Sequence, residues 1–235
     1  MVEAAVERLT SEIAALGEQT RLAAHLYEEL FASLRQALNS ALSQAATPAA
    51  GARAAMAIAD AAASALMTYM PNPPARDCRA GCDACCHLYV MIPPGVAQAI
   101  GDYLLERLEP AALAALQVEL QKAAAAAAAL AEPKALRHRC PLLGPDGLCT
   151  VYEVRPPMCR AFTSRSAEAC RSLAFRPDGE VSSISQNPSQ FQVYAEATWA
   201  LERAALARGA SSRQTGLAAG LLAALSEAGF PAASA

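Results

Sequence analysis

Eight cysteines are the residues of this chain best suited to chemistry, and all fall between Cys78 and Cys170. The first group reads Cys78-Arg79-Ala80-Gly81-Cys82-Asp83-Ala84-Cys85-Cys86-His87. The second comprises Cys140-Pro141-Leu142-Leu143, then Cys149, then Cys159, with Cys170 further on. Thiolates are soft ligands for zinc, iron and iron–sulfur clusters, and short spacings preorganise pairs of ligands that a fold can then bring together. Structural cysteines placed at random would also appear in the flanking helical regions, which contain none.

Spacing alone leaves the metal open. On a straight helix Cys78 and Cys85 would lie about 10 Å apart along the axis, too far for one tetrahedral zinc. Gly81 and the flanking prolines predict instead that this segment wraps around its ligand. The triplet Cys78-x3-Cys82-x2-Cys85 has the spacing used by radical S-adenosylmethionine enzymes, but the chain lacks the alternating strand and helix pattern of their barrels. A c-type haem motif needs His where Cys86 stands. A helical copper store would spread its cysteines along the long helices, and remains a minor alternative. Eight sulfurs exceed the four of a single site, so the pattern predicts either two centres or spare thiols.

His87 and His138 sit beside the cysteine groups and are expected to support ligands more than to ligate, while His25 lies on an amphipathic helix. No Ser/His/Asp order, Walker loop or dinucleotide glycine signature stands in a convincing context. Any catalysis would have to use the metal or an exposed thiolate. Residues 134–180 carry a local excess of arginine, which offsets the negative charge of a thiolate site. The same charge would equally suit a solvated surface.

The surrounding elements are helical. Apolar residues recur every three or four positions over 6–42, and Gly17 is a candidate bend. Thr47-Pro48 and Gly51 suggest a stop before a second helix over 52–70, which Pro71, Pro73 and Pro74 end. The stripe over 6–42 is expected to pack against its own bundle, although it could serve a protein partner. Further helices are predicted to residue 108, from 110 to 130, over 188–208 and over 212–228, the last capped by Ser211 or Ser212 and closed by Gly229. Gly144-Pro145-Asp146-Gly147 signals a turn between two short extended pieces. The expected fold class is mainly α: a bundle of five or six helices enclosing a small loop-rich cysteine subdomain with a short β-hairpin. The organisation divides into an N-terminal helical region 1–70, a cysteine region 71–185 with an inserted helical hairpin 94–131, and C-terminal helices 186–235.

The chain has 235 residues, is rich in alanine, and carries a formal net charge of -3. Such a balance supplies no basic field for nucleic acid or an anionic membrane. No signal peptide is apparent and no apolar run approaches a membrane span, so a cytoplasmic protein with reduced thiols is expected.

The order Cys78-x3-Cys82-x2-Cys85-Cys86, Cys140-Pro-Leu-Leu, Cys149-x2-Tyr152-x2-Arg155-Pro156-x2-Cys159-Arg160-x-Phe162 closely resembles the YkgJ-type cysteine cluster proteins, described as zinc- or iron-chelating. The resemblance nominates Cys78, Cys82, Cys85, Cys86, Cys140, Cys149 and Cys159 as metal ligands and leaves Cys170 outside. It implies a thiolate site for zinc or an iron–sulfur cluster. Related domains in flagellin lysine methylases imply a second reading, a metal-dependent Fe–S oxidoreductase or protein-modifying transferase. A third is a zinc-stabilised interaction module presenting the 6–42 helix. Tyr152, Arg155, Pro156, Arg160 and Phe162 are expected to brace the cysteine loops, with Arg bonding carbonyls and aromatics filling a small core.

Overall fold

The computed structural model describes residues 2–69, 75–176 and 183–230, except for the side chains of 2–5, 20 and 23. The prolines at 71, 73 and 74 lie outside these residues, as does Pro231. Six longer helices make the frame: α1 (Val2–Gln44), α2 (Pro48–Tyr69), α3 (Val96–Arg107), α4 (Pro110–Ala128), α7 (Pro188–Ala207) and α8 (Leu217–Glu227). Two short ones, α5 (Pro157–Ala161) and α6 (Ala167–Phe175), lie within the cysteine region. Strands β1 (Met91–Ile92) and β2 (Thr215–Gly216) pair antiparallel. The chain is mainly helical with a small two-stranded sheet. No helix among the described residues is long and apolar enough to cross a membrane.

The core forms where α2 lies between α1, α7 and α3. Ala52, Ala55 and Ala59 of α2, Ala197 and Ala200 of α7, and Leu38 of α1 are almost fully buried. Alanine at such positions lets helices approach closely while leucine fills the remaining grooves. The last carbonyls of α1 are satisfied by Arg208, whose Nη2 donates to Leu42 O at 2.9 Å and Ala45 O at 2.7 Å.

Three local expectations need correction. The break between α1 and α2 is where Thr47-Pro48 signals it, but α2 starts at Pro48 and not at 52: Thr47 Oγ1 accepts from the Ala50 amide at 3.1 Å, and Pro48 takes the first helical position. Gly17 does not divide α1, which is continuous through it. Residues 212–216 are not helical, so Ser211 and Ser212 do not cap the last helix. The chain there is held extended by β1, Leu217 N donates to Val90 O at 2.9 Å, and α8 begins after Gly216.

The α1 stripe divides in two. Phe31, Leu34, Leu38 and Leu42 are buried against the bundle, whereas Val6, Leu9, Ile13, Leu22 and Leu26 are more than half exposed. Packing against its own bundle therefore holds for residues 31–42 and fails for 6–30, because α2 and α7 extend beside only the C-terminal third of the helix.

The turn before α3 is tightly constrained. Gly95 has a φ of 85°, and a Cβ there would stand 2.4 Å from Pro48 O. Gly95→Ala is expected to cost about 2–3 kcal/mol through left-handed strain and displacement of the α2 start, measured as a lowered denaturation midpoint with unchanged metal stoichiometry.

Candidate metal centre

Two backbone ladders assemble the sulfur-bearing segments. In the first, residues 79–82 form a turn, with Gly81 at a φ of 80° and Cys82 N donating to Arg79 O at 3.0 Å. A 3-10 helix then covers Ala84–His87. Its exit lies antiparallel to 137–140: Leu88 bridges Arg137, His138 N donates to His87 O at 3.0 Å, and Cys140 N donates to Cys86 O at 2.8 Å. That register sets the first cysteine group directly against Cys140.

The second ladder is the predicted turn. Gly147, at a φ of 76°, closes the 144–147 turn, Gly144 N donates to Leu148 O at 2.8 Å, and Leu143 bridges Cys149. Cys149 is thereby folded back towards Cys140. A further 3-10 turn, Tyr152–Val154, and the Arg155-Pro156-Pro157 corner lead into α5, which carries Cys159.

The result gathers four sulfurs from three segments. Cys85, Cys140, Cys149 and Cys159 are all electrostatic neighbours, each pair close enough for one thiolate to disfavour the other. Burial is the leading cause that raises Cys140, to about 11, and it also raises Cys149 and Cys159. Cys85 is raised first by its hydrogen bond with Cys86 and then by burial. Arg155 opposes this at Cys85, Cys149 and Cys159, as does Arg139 at Cys140. The local arginine excess thus reaches the sulfurs. Among the described residues, no group of three His, Cys, Asp or Glu side chains is arranged to hold a metal ion. The donor types fit a thiolate-bound metal; binding would have to draw the sulfurs together and remove their protons.

The remaining cysteines border this set. Cys86 hydrogen-bonds with Cys85. Cys78 is exposed, and its Sγ accepts from Ser164 N at 3.3 Å. Cys170, whose role the sequence left open, is buried on α6 and has Cys78, Cys82 and Cys85 as electrostatic neighbours. The α6 helix lies within the region expected to be loop-rich. Ser166 caps it by accepting from Ala169 N at 3.1 Å, a signal visible in the serine with an acidic residue, Glu168, in the first turn. Neither neighbouring histidine joins the four sulfurs: His87 Nδ1 lies 3.2 Å from Asp83 O and its ring packs edge-on to Phe175, while His138 Nδ1 lies 2.8 Å from Arg139 O.

Arg160 braces the second loop, as its position predicts. Its Nε donates to Arg155 O at 2.8 Å and its Nη2 to Glu153 O at 2.6 Å, while Nη1 pairs with Asp60 of α2. Asp60 also accepts from Tyr194 OH at 2.8 Å, so α2 and α7 are both tied to the cysteine loop. Gln190 Nε2 donates to Arg160 O at 3.1 Å. Phe162 packs with Ala84 and Cys170 in a small second core. Tyr152 does not fill a core: it is 60% exposed and stacks under Arg155, whose guanidinium stands 4.2 Å from its ring centre.

Residues 77–188 match the model of the CxxCxxCC family, described as "putative zinc- or iron-chelating domain". The match takes in all eight cysteines. No curated protein matches the chain, and no solved structure does. The matched segment runs past Cys170, taking in α6 and the start of α7.

The raised thiols have a consequence for the metal-free chain. A thiol whose folded value lies above its unfolded value, ordinarily about 8.5, stabilises the fold while it is protonated. That contribution is full below the unfolded value and is lost as pH climbs to the folded one. Cys140 alone, at about 11, contributes about 3 kcal/mol on this scale. The metal-free protein is expected to lose stability between about pH 8 and 11, read by chemical denaturation at each pH.

Proposed function

We propose that this protein binds a metal through thiolates drawn from Cys78, Cys82, Cys85, Cys86, Cys140, Cys149 and Cys159, with Cys85, Cys140, Cys149 and Cys159 as the inner four. The observation that carries this reading is the mutual proximity of those four sulfurs, which come from three segments joined by the Cys86–Cys140 backbone bond and the Leu143–Cys149 bridge. Four thiolates from such segments suit either a zinc ion or a [4Fe–4S] cluster. In both cases the bound metal would cross-link the loops, adding to the hold that Leu142, Val151 and Val154 already have in the main core. The role is binding and stabilisation, in a protein working where thiols stay reduced.

Anaerobic purification followed by elemental analysis and visible spectroscopy tests the reading. Near-stoichiometric zinc without colour, or iron and sulfide with broad visible absorption, would support it and name the metal. A protein lacking bound metal, with every thiol freely titratable and no uptake on reconstitution with either, would overturn it.

A further inference from the structure

The arginines around the cysteine loops divide by what their N–H groups reach. Arg137 donates to Leu173 O at 3.1 Å, Arg139 to Gly144 O at 2.6 Å, and Arg160 to two carbonyls of its own loop. Arg155 differs, although its spacing groups it with the braces: its Nε is buried and has no hydrogen-bond partner among the described residues. An ionised donor shut away from water with nothing to accept its proton is costly.

Local structure holds it there. Tyr152 N donates to Cys149 O at 3.3 Å and Val154 N to Val151 O at 3.0 Å, so the chain from Cys149 to Val154 is wound with i→i+3 bonds. Such a winding brings Cys149, Tyr152 and Arg155 to one edge of the run. The Arg155 guanidinium folds back over the ring of Tyr152, three residues nearer Cys149 in the chain, and the ring covers one of its faces. Its charge acts on Cys85, Cys149 and Cys159 alike.

We propose that Arg155 Nε donates a hydrogen bond to a metal-bound sulfur of Cys85, Cys149 or Cys159, with the Tyr152 ring holding the guanidinium in place. This rests on the thiolate reading above and gives one cation a defined part in it. A thiol sulfur is a weak acceptor, whereas a metal-bound thiolate carries charge and makes a charge-assisted bond with a guanidinium. The orphaned donor therefore suits the loaded site and not the metal-free one. Four thiolates on one divalent ion also keep an excess of negative charge, which an adjacent guanidinium offsets. Arg155 is a positioning residue: it orients and polarises ligands without being one. The ring of Tyr152, exposed and filling no core, gains a use as its support.

Magnetic resonance of the full chain loaded with cadmium-113 tests the bond directly. The expected result is a scalar coupling between the metal and the Arg155 Nε proton, carried through the sulfur, with slowed solvent exchange of that proton. Arg155→Met separates this role from that of a brace. Because Nε has no bond to lose in the metal-free chain, the metal-free denaturation midpoint should hold at or above that of the unsubstituted protein, while Zn²⁺ affinity falls about tenfold. Arg155→Lys keeps the charge without Nε and should recover only part of that loss. An uncoupled, fast-exchanging Arg155 Nε proton in the loaded protein, or an Arg155→Met chain with lowered metal-free stability and unchanged Zn²⁺ affinity, would overturn the proposal and leave the thiolate site standing. Failure to take up either ion would overturn the thiolate site itself, and this inference with it.

Discussion

Replacing Cys149 with serine is expected to release the metal while leaving the helical frame folded. Cys149 is one of the inner four and the residue that the 144–147 turn folds back onto Cys140. Removing a partner that only supports a ligand typically costs 10–100-fold in metal affinity, so losing one of four ligating sulfurs should cost more than about 100-fold. Cys78→Ser should cost much less, because its exposed sulfur lies outside that set and serine can still accept from the Ser164 amide. Competition with a chromophoric chelator measures both. The accompanying proton count is equally direct: because Cys85, Cys140, Cys149 and Cys159 are held protonated, Zn²⁺ uptake at neutral pH should release about four protons per ion. Affinity should then rise steeply with pH, up to about tenfold per unit for each proton displaced. Calorimetry in buffers of differing ionisation enthalpy reads the count, and a value near zero would show thiolates already formed.

Arg160→Ala is expected to be the most damaging single change outside the sulfurs. The guanidinium is 7% exposed and holds two loop carbonyls as well as Asp60. Hydrogen bonds to charged groups contribute about 1.5–3 kcal/mol each, and truncation leaves the carbonyls and Asp60 without this partner. Asp60 is partly solvated, which moderates the loss to about 3–4 kcal/mol overall. Arg160→Lys should rescue little, because one ammonium cannot replace the planar fork that reaches Arg155 O, Glu153 O and Asp60 together. Denaturation midpoints check stability, and weaker metal retention in Arg160→Ala than in Arg155→Ala would show that the brace positions Cys149 and Cys159.

The helical frame was legible because apolar spacing and proline starts are local signals: Pro188, Glu109-Pro110 and the C-terminal part of the stripe over 6–42 read directly as elements. Thr47-Pro48 marked the break but set the start of α2 four residues late, because a proline read as a stop can also be the first residue of the next helix. The extended run 212–216 was missed since its partner, Met91–Ile92, lies over 120 positions away and only that pairing holds it straight. Amphipathicity showed that α1 had an apolar face but not what would cover it, and own-body packing stops at Phe31.

The cysteine groups and the 144–147 turn were similarly plain, as residue type and turn chemistry are written in adjacent positions. What brings the groups together was not: the register that sets Cys86 against Cys140 is a property of two distant backbones. The bracing role of Arg160 could be anticipated, whereas Asp60 and Tyr194, its partners on α2 and α7, carry no local signature. Cys170 lacked a place for the same reason, because its neighbours Cys78 and Cys82 reach it only when α6 folds onto the 84–87 turn.

X-ray absorption at the metal edge of the loaded protein tests the central claim most directly. The account predicts a first shell dominated by sulfur, four scatterers at about 2.3 Å for zinc, which shrinks by one in Cys149→Ser. A first shell of oxygen and nitrogen, or a sulfur shell untouched by that substitution, would contradict it.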